Sequence, residues 1–155
     1  MGKLESINVS RGGVPKTPVP EAHVTEAGVS GDRQDDGRYH GGPDRAVTLF
    51  SRERIDLLRV EGHPIDVGTT GENLTVSGLD WDALKPGARL RVGSVELEVT
   101  KFASPCDKVA GSFFGGDYSR LSDKRHPGWS RVCARVLRGG PIRTGDEVEV
   151  VRRPT

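Results

Sequence analysis

Residues 89–108 read RLRVGSVELEVTKFASPCDK. Two stretches that alternate apolar and polar side chains flank Gly93-Ser94, a Gly-X pair suited to a two-residue hairpin. Arg89–Val92 and Val95–Phe102 therefore read as paired, half-buried strands. The second strand runs directly into Ser104-Pro105-Cys106-Asp107-Lys108. The proline ends the strand and leaves a thiol in a loop beside a lysine, a setting that favours the thiolate and hence nucleophilic or metal-ligand chemistry.

Outward from this hairpin, the same alternation gives strands at 3–9, 46–50, 73–76, 131–137 and 147–152. The clearest helix spans 51–61: Ser51 is its N-cap, Ile55 and Leu58, with Leu57 beside them, mark its apolar face, and Gly62 ends it. A shorter helix is expected at 117–121. The Gly- and Pro-rich segment 11–20 reads as an exposed loop within the domain. Several strands spaced by turns, with one confident helix, imply a mainly β fold, a small barrel with a few short helices packed against it and a ligand site at its mouth.

The chain has 155 residues, the size of one domain able to bury a core without cross-links. With 23 Lys and Arg against 22 Asp and Glu, the net charge of +1 leaves no global basic field for nucleic acid or an anionic membrane. Any anion site must be local. No segment reads as a secretory leader or a bilayer span, so a soluble cytoplasmic protein is expected. Cys106 and Cys133 form no disulfide framework and no CxxC pattern, which suits a reducing compartment. Neither a P-loop nor a dinucleotide-binding glycine motif occurs.

Four irregular segments combine glycine or proline with groups that can bind: Gly31-Asp32-Arg33-Gln34, His40-Gly41-Gly42-Pro43-Asp44-Arg45, Gly71-Glu72-Asn73-Leu74 and Ser104-Pro105-Cys106. The ordered set GDRQ, HGGPDRAVTLFS, GENLTVSGLDW, PGARLRVG, SPCDK and SRVCARVLRGGPIRTGDEVEV resembles the MOSC domain, the family named for the C-terminal domain of molybdenum cofactor sulfurase. The resemblance covers almost the whole chain. It implies a β-barrel with a cleft for the molybdenum cofactor, a phosphorylated pterin dithiolene, and in catalytic members a cysteine matching Cys106 that ligates molybdenum. Soft thiolate suits a sulfur-bound, redox-active metal.

Read residue by residue, Cys106 is a metal ligand or a small packing side chain. Cys133, mid-strand, reads as packing. Alternation places Arg131, Cys133 and Arg135 on one strand face, where the two arginines either clamp a phosphate or form a solvated outer wall. Arg33 and Arg45 lie in glycine-bearing loops that can approach a ligand. His40 is a proton donor to substrate or an exposed loop histidine. Asn73 reads a pterin edge or opens its strand through an Asx turn. Ser104 and Lys108 touch the ligand or only shape and solvate their loop. His23, His63 and His126 show no metal-ligand spacing.

By resemblance, the expected activity is reduction of a small N-hydroxylated substrate, such as a hydroxylamino base or an amidoxime. Without the cysteines of an iron–sulfur domain, electrons must come from a separate donor protein. The alternative is a molybdenum cofactor carrier or sulfur-transfer module, partnered by a sulfurase, with a persulfide on Cys106. A third reading is an interaction domain with no cofactor.

Overall fold

The hairpin forms where the alternation places it. Leu90 pairs with Leu97 and Val92 with Val95, and these four side chains are fully buried. Gly93, at φ 56°, supplies the left-handed turn conformation that its neighbour Ser94 avoids. The computed structural model describes residues 1–10, 12, 14–32 and 43–154. Its strands are β1 (Gly2–Val9), β2 (Thr17–Val19), β3 (Glu21–Thr25), β4 (Gly28–Val29), β5 (Val47–Ser51), β6 (Leu74–Ser77), β7 (Arg89–Val92), β8 (Val95–Phe102), β9 (Val132–Arg138), β10 (Gly140–Arg143) and β11 (Glu147–Arg152), with one helix, α1 (Arg52–Val60).

The order β1–β11–β7–β8–β9–β5–β6 closes back onto β1, giving a barrel with no free edge among those strands. β2 is added outside β1. Every pairing in the ring is antiparallel except β5 with β6, and α1 makes the crossover that this parallel pair requires. Leu4, Ile7, Leu49, Val99 and Val132 fill the interior together with the hairpin residues, while Phe50, on the other face of β5, packs edge-on against Trp81.

Ser51 caps α1 by accepting a hydrogen bond from the Arg54 N–H at 3.1 Å. The helix closes through Gly62 N–H to the Arg59 carbonyl and His63 N–H to the Leu58 carbonyl, the paired bonds of a Schellman end. Ile55 and Leu58 are buried, but Leu57 is 48% exposed and does not belong to the inward face. The segment expected as a second helix is a short 3-10 turn, Tyr118–Leu121, capped by Asp117.

Strands β2, β3, β4 and β10 were not legible in the sequence. β2 lies within the segment read as a loop, and β10 contains Gly140 and Pro141, residues that do not mark a strand. Pro18 and Pro141 sit in strands at or near sheet edges, where a missing N–H does little harm. β3, β4 and β10 form their own small sheet, ordered β10–β3–β4.

Candidate functional site

The register of three neighbouring strands sets the floor of a cleft. Thr48 of β5 pairs with Cys133 of β9, and Cys133 pairs with Lys101 of β8. Their chain neighbours Val47, Leu49, Val132 and Ala134 point into the core. Thr48, Cys133 and Lys101 therefore face outward. Unbroken alternation would put Lys101 on the same face as buried Val99. A bulge between Val99 and Lys101 reverses the parity, and the single hydroxyl proton of Thr100 within it is shared between the Asp44 carbonyl and, at 3.2 Å, the Cys133 carbonyl. The cleft, of about 210 Å³, thus lies on the outer face of the barrel wall and not in the mouth.

Loops roof it. The segment after β8 brings Ser104, Cys106 and Lys108, and the segment before β6 brings Thr70, Gly71 and Asn73. Val14 and Lys16 approach from the side; a Cβ on Gly71 would sit 2.8 Å from Val14 Cγ1, so this approach needs the glycine, which also has φ +83°. Cys106 is half-buried and opens the 3-10 turn Asp107–Ser112, its carbonyl accepting from Val109 N–H.

The charge of the lining is one-signed. Lys16, Arg45, Lys101, Lys108 and Arg131 contribute, while no Asp or Glu is among the described residues that line the cleft. Arg131 is 8% exposed. Its Nη1 donates to the Thr70 carbonyl at 2.6 Å and its Nη2 to the Ala103 carbonyl at 3.3 Å. Its Nε is buried with no hydrogen-bond partner. Burial pushes the guanidinium below its ordinary pKa, opposed first by the Glu72 charge and then by Cys133 and Cys106. Burial also pushes the Cys133 thiol up, so it stays protonated at neutral pH.

Behind the lining lies a buried polar web. Glu72 is fully buried and accepts from Gly68 N–H, Thr70 Oγ1 and Thr75 Oγ1 at 3.1, 2.9 and 3.0 Å. Asn8 donates to Thr75 Oγ1 and to the Glu72 carbonyl. Asp32 accepts from the Lys16 ammonium at 2.7 Å, from Ser10 N–H, and from Asn73 Nδ2 at 2.8 Å.

The structure brings Cys106, Ser104, Lys108, Asn73, Arg45 and Arg131 to this one cleft. Asn73 lines it with an amide already engaged: Oδ1 accepts from Thr48 N–H at 3.0 Å while Nδ2 donates to Asp32. Arg135 lies away from the lining, with its Nε donating to Glu98 at 2.9 Å. Arg33 and His40 fall outside the described residues. Lys16, Lys101, Thr70, Glu72, Asp32 and Cys133 were missed as site residues. Glu72 stood in a quoted motif, but a charged residue in a turn reads as surface, and Lys101 was hidden by the bulge.

A closed seven-stranded barrel with a thiol-bearing, cationic cleft on its outer wall defines the class. The MOSC domain family matches residues 36–149, and the chain belongs to that family. It is similar to the uncharacterized protein YflK of Bacillus subtilis (strain 168), 29% identical over 143 residues, covering 91% of this chain and 64% of YflK. It is also similar to the protein YiiM of Escherichia coli (strain K12), 30% identical over 139 residues, covering 86% of this chain and 60% of YiiM. The chain thus spans less than two thirds of either relative. A crystal structure of a hypothetical protein superposes with a TM-score of 0.78 at 27% identity, covering 99% of this chain and 70% of that one. Among the described residues, no helix is long and apolar enough to cross a membrane.

Proposed function

We propose that the cleft holds the molybdenum cofactor, with Cys106 as a thiolate ligand to the metal, and that the loaded protein reduces small N-hydroxylated compounds such as hydroxylamino bases or amidoximes. The observation that carries this reading is one lining that combines, among the described residues, the Cys106 thiol, five cationic side chains and no carboxylate. That donor set fits a phosphorylated, sulfur-bearing group: a thiolate for a soft metal, and lysines and arginines for a phosphate. Cys106 would hold the metal as a thiolate beside the cofactor's own sulfurs; among the described residues no three His, Cys, Asp or Glu side chains converge on a separate metal site.

When bound, the cofactor would supply two-electron chemistry, R–NHOH + 2e⁻ + 2H⁺ giving R–NH2 + H2O, with electrons from a separate donor protein. The chain's own part is positional. Arg131 and Lys101 hold negative charge against the floor, Lys16 and Lys108 frame the sides, and the loop from Ser104 to Val109 sets the thiol over the floor. A second reading, a cofactor carrier or a sulfur-transfer module fed by a sulfurase, draws on the half-buried Cys106 thiol of the lining as the persulfide carrier.

The test is molybdenum and pterin per mole of protein from a host that makes the cofactor, for wild type and Cys106→Ala side by side. Near-stoichiometric metal that collapses in the variant, with an unchanged circular dichroism spectrum, is expected. Equal metal in both proteins overturns Cys106 as ligand. Dithionite-driven conversion of a hydroxylaminopurine to the amine by the loaded wild type then separates reductase from carrier, since a carrier holds the cofactor without turnover.

A further inference from the structure

We propose that Thr70 and Glu72 set the anion affinity of the Arg131 end of the cleft, so that an oxyanion binding at Arg131 Nε draws one proton from solvent onto Glu72. The inference rests on the cleft being an anion site, and the experiment below separates failure of the one from failure of the other.

Three observations carry it. First, Arg131 is buried with two of its donor positions on neutral carbonyls and a third, Nε, unpartnered. A buried donor without a partner is costly, so a ligand oxygen at that position removes a penalty as well as making a charge-assisted bond. Second, Thr70 joins Arg131 to Glu72. Its carbonyl accepts from Arg131 Nη1 while its hydroxyl donates to Glu72 Oε1. Third, Glu72 is fully buried, and the donors it accepts from are neutral, backbone amides and two hydroxyls.

Among the described residues, the charges around Glu72 are few. Arg131 faces it through Thr70, and Cys106 and Cys133 face Arg131 in turn. The Lys16–Asp32 ion pair lies one step further, its backbone reaching the carboxylate through Gly68, and Asn8 and Thr75 from β1 and β6 are neutral. Burial pushes the Glu72 carboxyl above the usual carboxylate range, opposed by its hydrogen bonds. An anion placed on Arg131 brings a second negative charge into the same desolvated region and competes for the same guanidinium. The bound state therefore holds the Glu72 proton more tightly than the free state. By linkage, affinity rises as pH falls, by at most about tenfold per pH unit for one proton.

Sulfate is the probe, because it carries no titrating proton of its own near neutrality. Its binding to the full chain is followed by isothermal titration calorimetry at pH 5 to 8 for wild type, Glu72→Gln and Arg131→Lys, and in the two proteins that keep the arginine also by the Arg131 Nε–Hε resonance. The expected result is an affinity for wild type that strengthens as pH falls, an affinity for Glu72→Gln that is the same at every pH, and loss of binding in Arg131→Lys. Wild-type binding that ignores pH, or a Glu72→Gln protein that keeps the full pH dependence, overturns the coupling and leaves the anion site standing. Absence of sulfate binding to wild type, or binding undiminished by Arg131→Lys, overturns the anion site itself. Should Glu72→Gln fold poorly, the carbon-13 carboxyl resonance of Glu72 in wild type reads the same quantity: its titration must move upward on adding sulfate, and an unmoved titration sinks the proposal.

Discussion

Arg131 lies at the foot of β9 and Arg135 four residues further along it, on the same outward face, yet they meet opposite surroundings. Arg135 is half-exposed and held by the carboxylate of Glu98, with Asp44 at 3.8 Å. Arg131 is buried, and the partners of its terminal nitrogens are carbonyls. A carboxylate neutralises a guanidinium, whereas carbonyls orient it and leave its charge available. The loops after β8 and before β6 cover one arginine and not the other, and that coverage makes one end of the strand the floor of a cleft and the other an open wall.

The sharpest way to break this contrast is to remove each arginine in turn. Arg131→Met leaves the Thr70 and Ala103 carbonyls without their donors and Glu72 without its counter-charge, at a cost of about 3 kcal/mol. Arg135→Met loses only a solvent-screened pair, and its effect should be much the smaller of the two. Urea midpoints at pH 7 check both. Equal shifts would mean that burial confers no energetic distinction on Arg131.

Asn73→Ala is expected to come next, at about 2 kcal/mol, because the amide accepts from Thr48 N–H at the opening of the parallel pair and donates to Asp32. The same substitution should slacken Lys16, which shares Asp32. Restoration of stability by Asn73→Asp would be a surprise, since it sets two carboxylates together. Thr70→Val follows at about 1 kcal/mol. It deletes the hydroxyl on Glu72 but keeps the carbonyl under Arg131, so the Glu72 carboxyl should titrate higher while Arg131 stays in place; Thr70→Ser should reverse the shift.

These residues also show what a sequence can and cannot disclose. Strands with alternating side chains are local statements, so the hairpin at Gly93, the strand carrying Leu4 and Ile7, and helix α1 with its Ser51 cap were legible. Cys106 was legible as a loop thiol because a proline stops its strand, and it lines the cleft. The parity of Lys101 was not, since a one-residue bulge is set by pairing across to Cys133 and leaves no mark in composition. Asp32 and Glu72 were not, because turn carboxylates become buried only when distant segments fold over them. Pro18 and Pro141 concealed strands that survive by lying where a lost N–H is tolerated.

Glu98 gives the smallest effect and the cleanest opposite sign. Hydrogen bonds from Arg135 and then Arg89 hold its carboxyl below the usual carboxylate range. A depressed folded pKa adds stability above the unfolded value and loses it as pH falls through the folded one. Glu72, pushed up by burial, does the reverse, withdrawing stability as pH rises from the unfolded value through the folded one. Glu98→Gln should therefore cost a few tenths of a kcal/mol at pH 7, nothing at strongly acid pH, and less in 1 M salt, because both of its arginine partners are exposed enough for screening. Glu72→Gln should remove a pH dependence of the other slope, and salt should leave that slope alone because the group is buried. Denaturation midpoints taken from pH 3 to pH 8 at two salt concentrations read both slopes at once, and slopes of the same sign would erase the distinction between the two ends of β9.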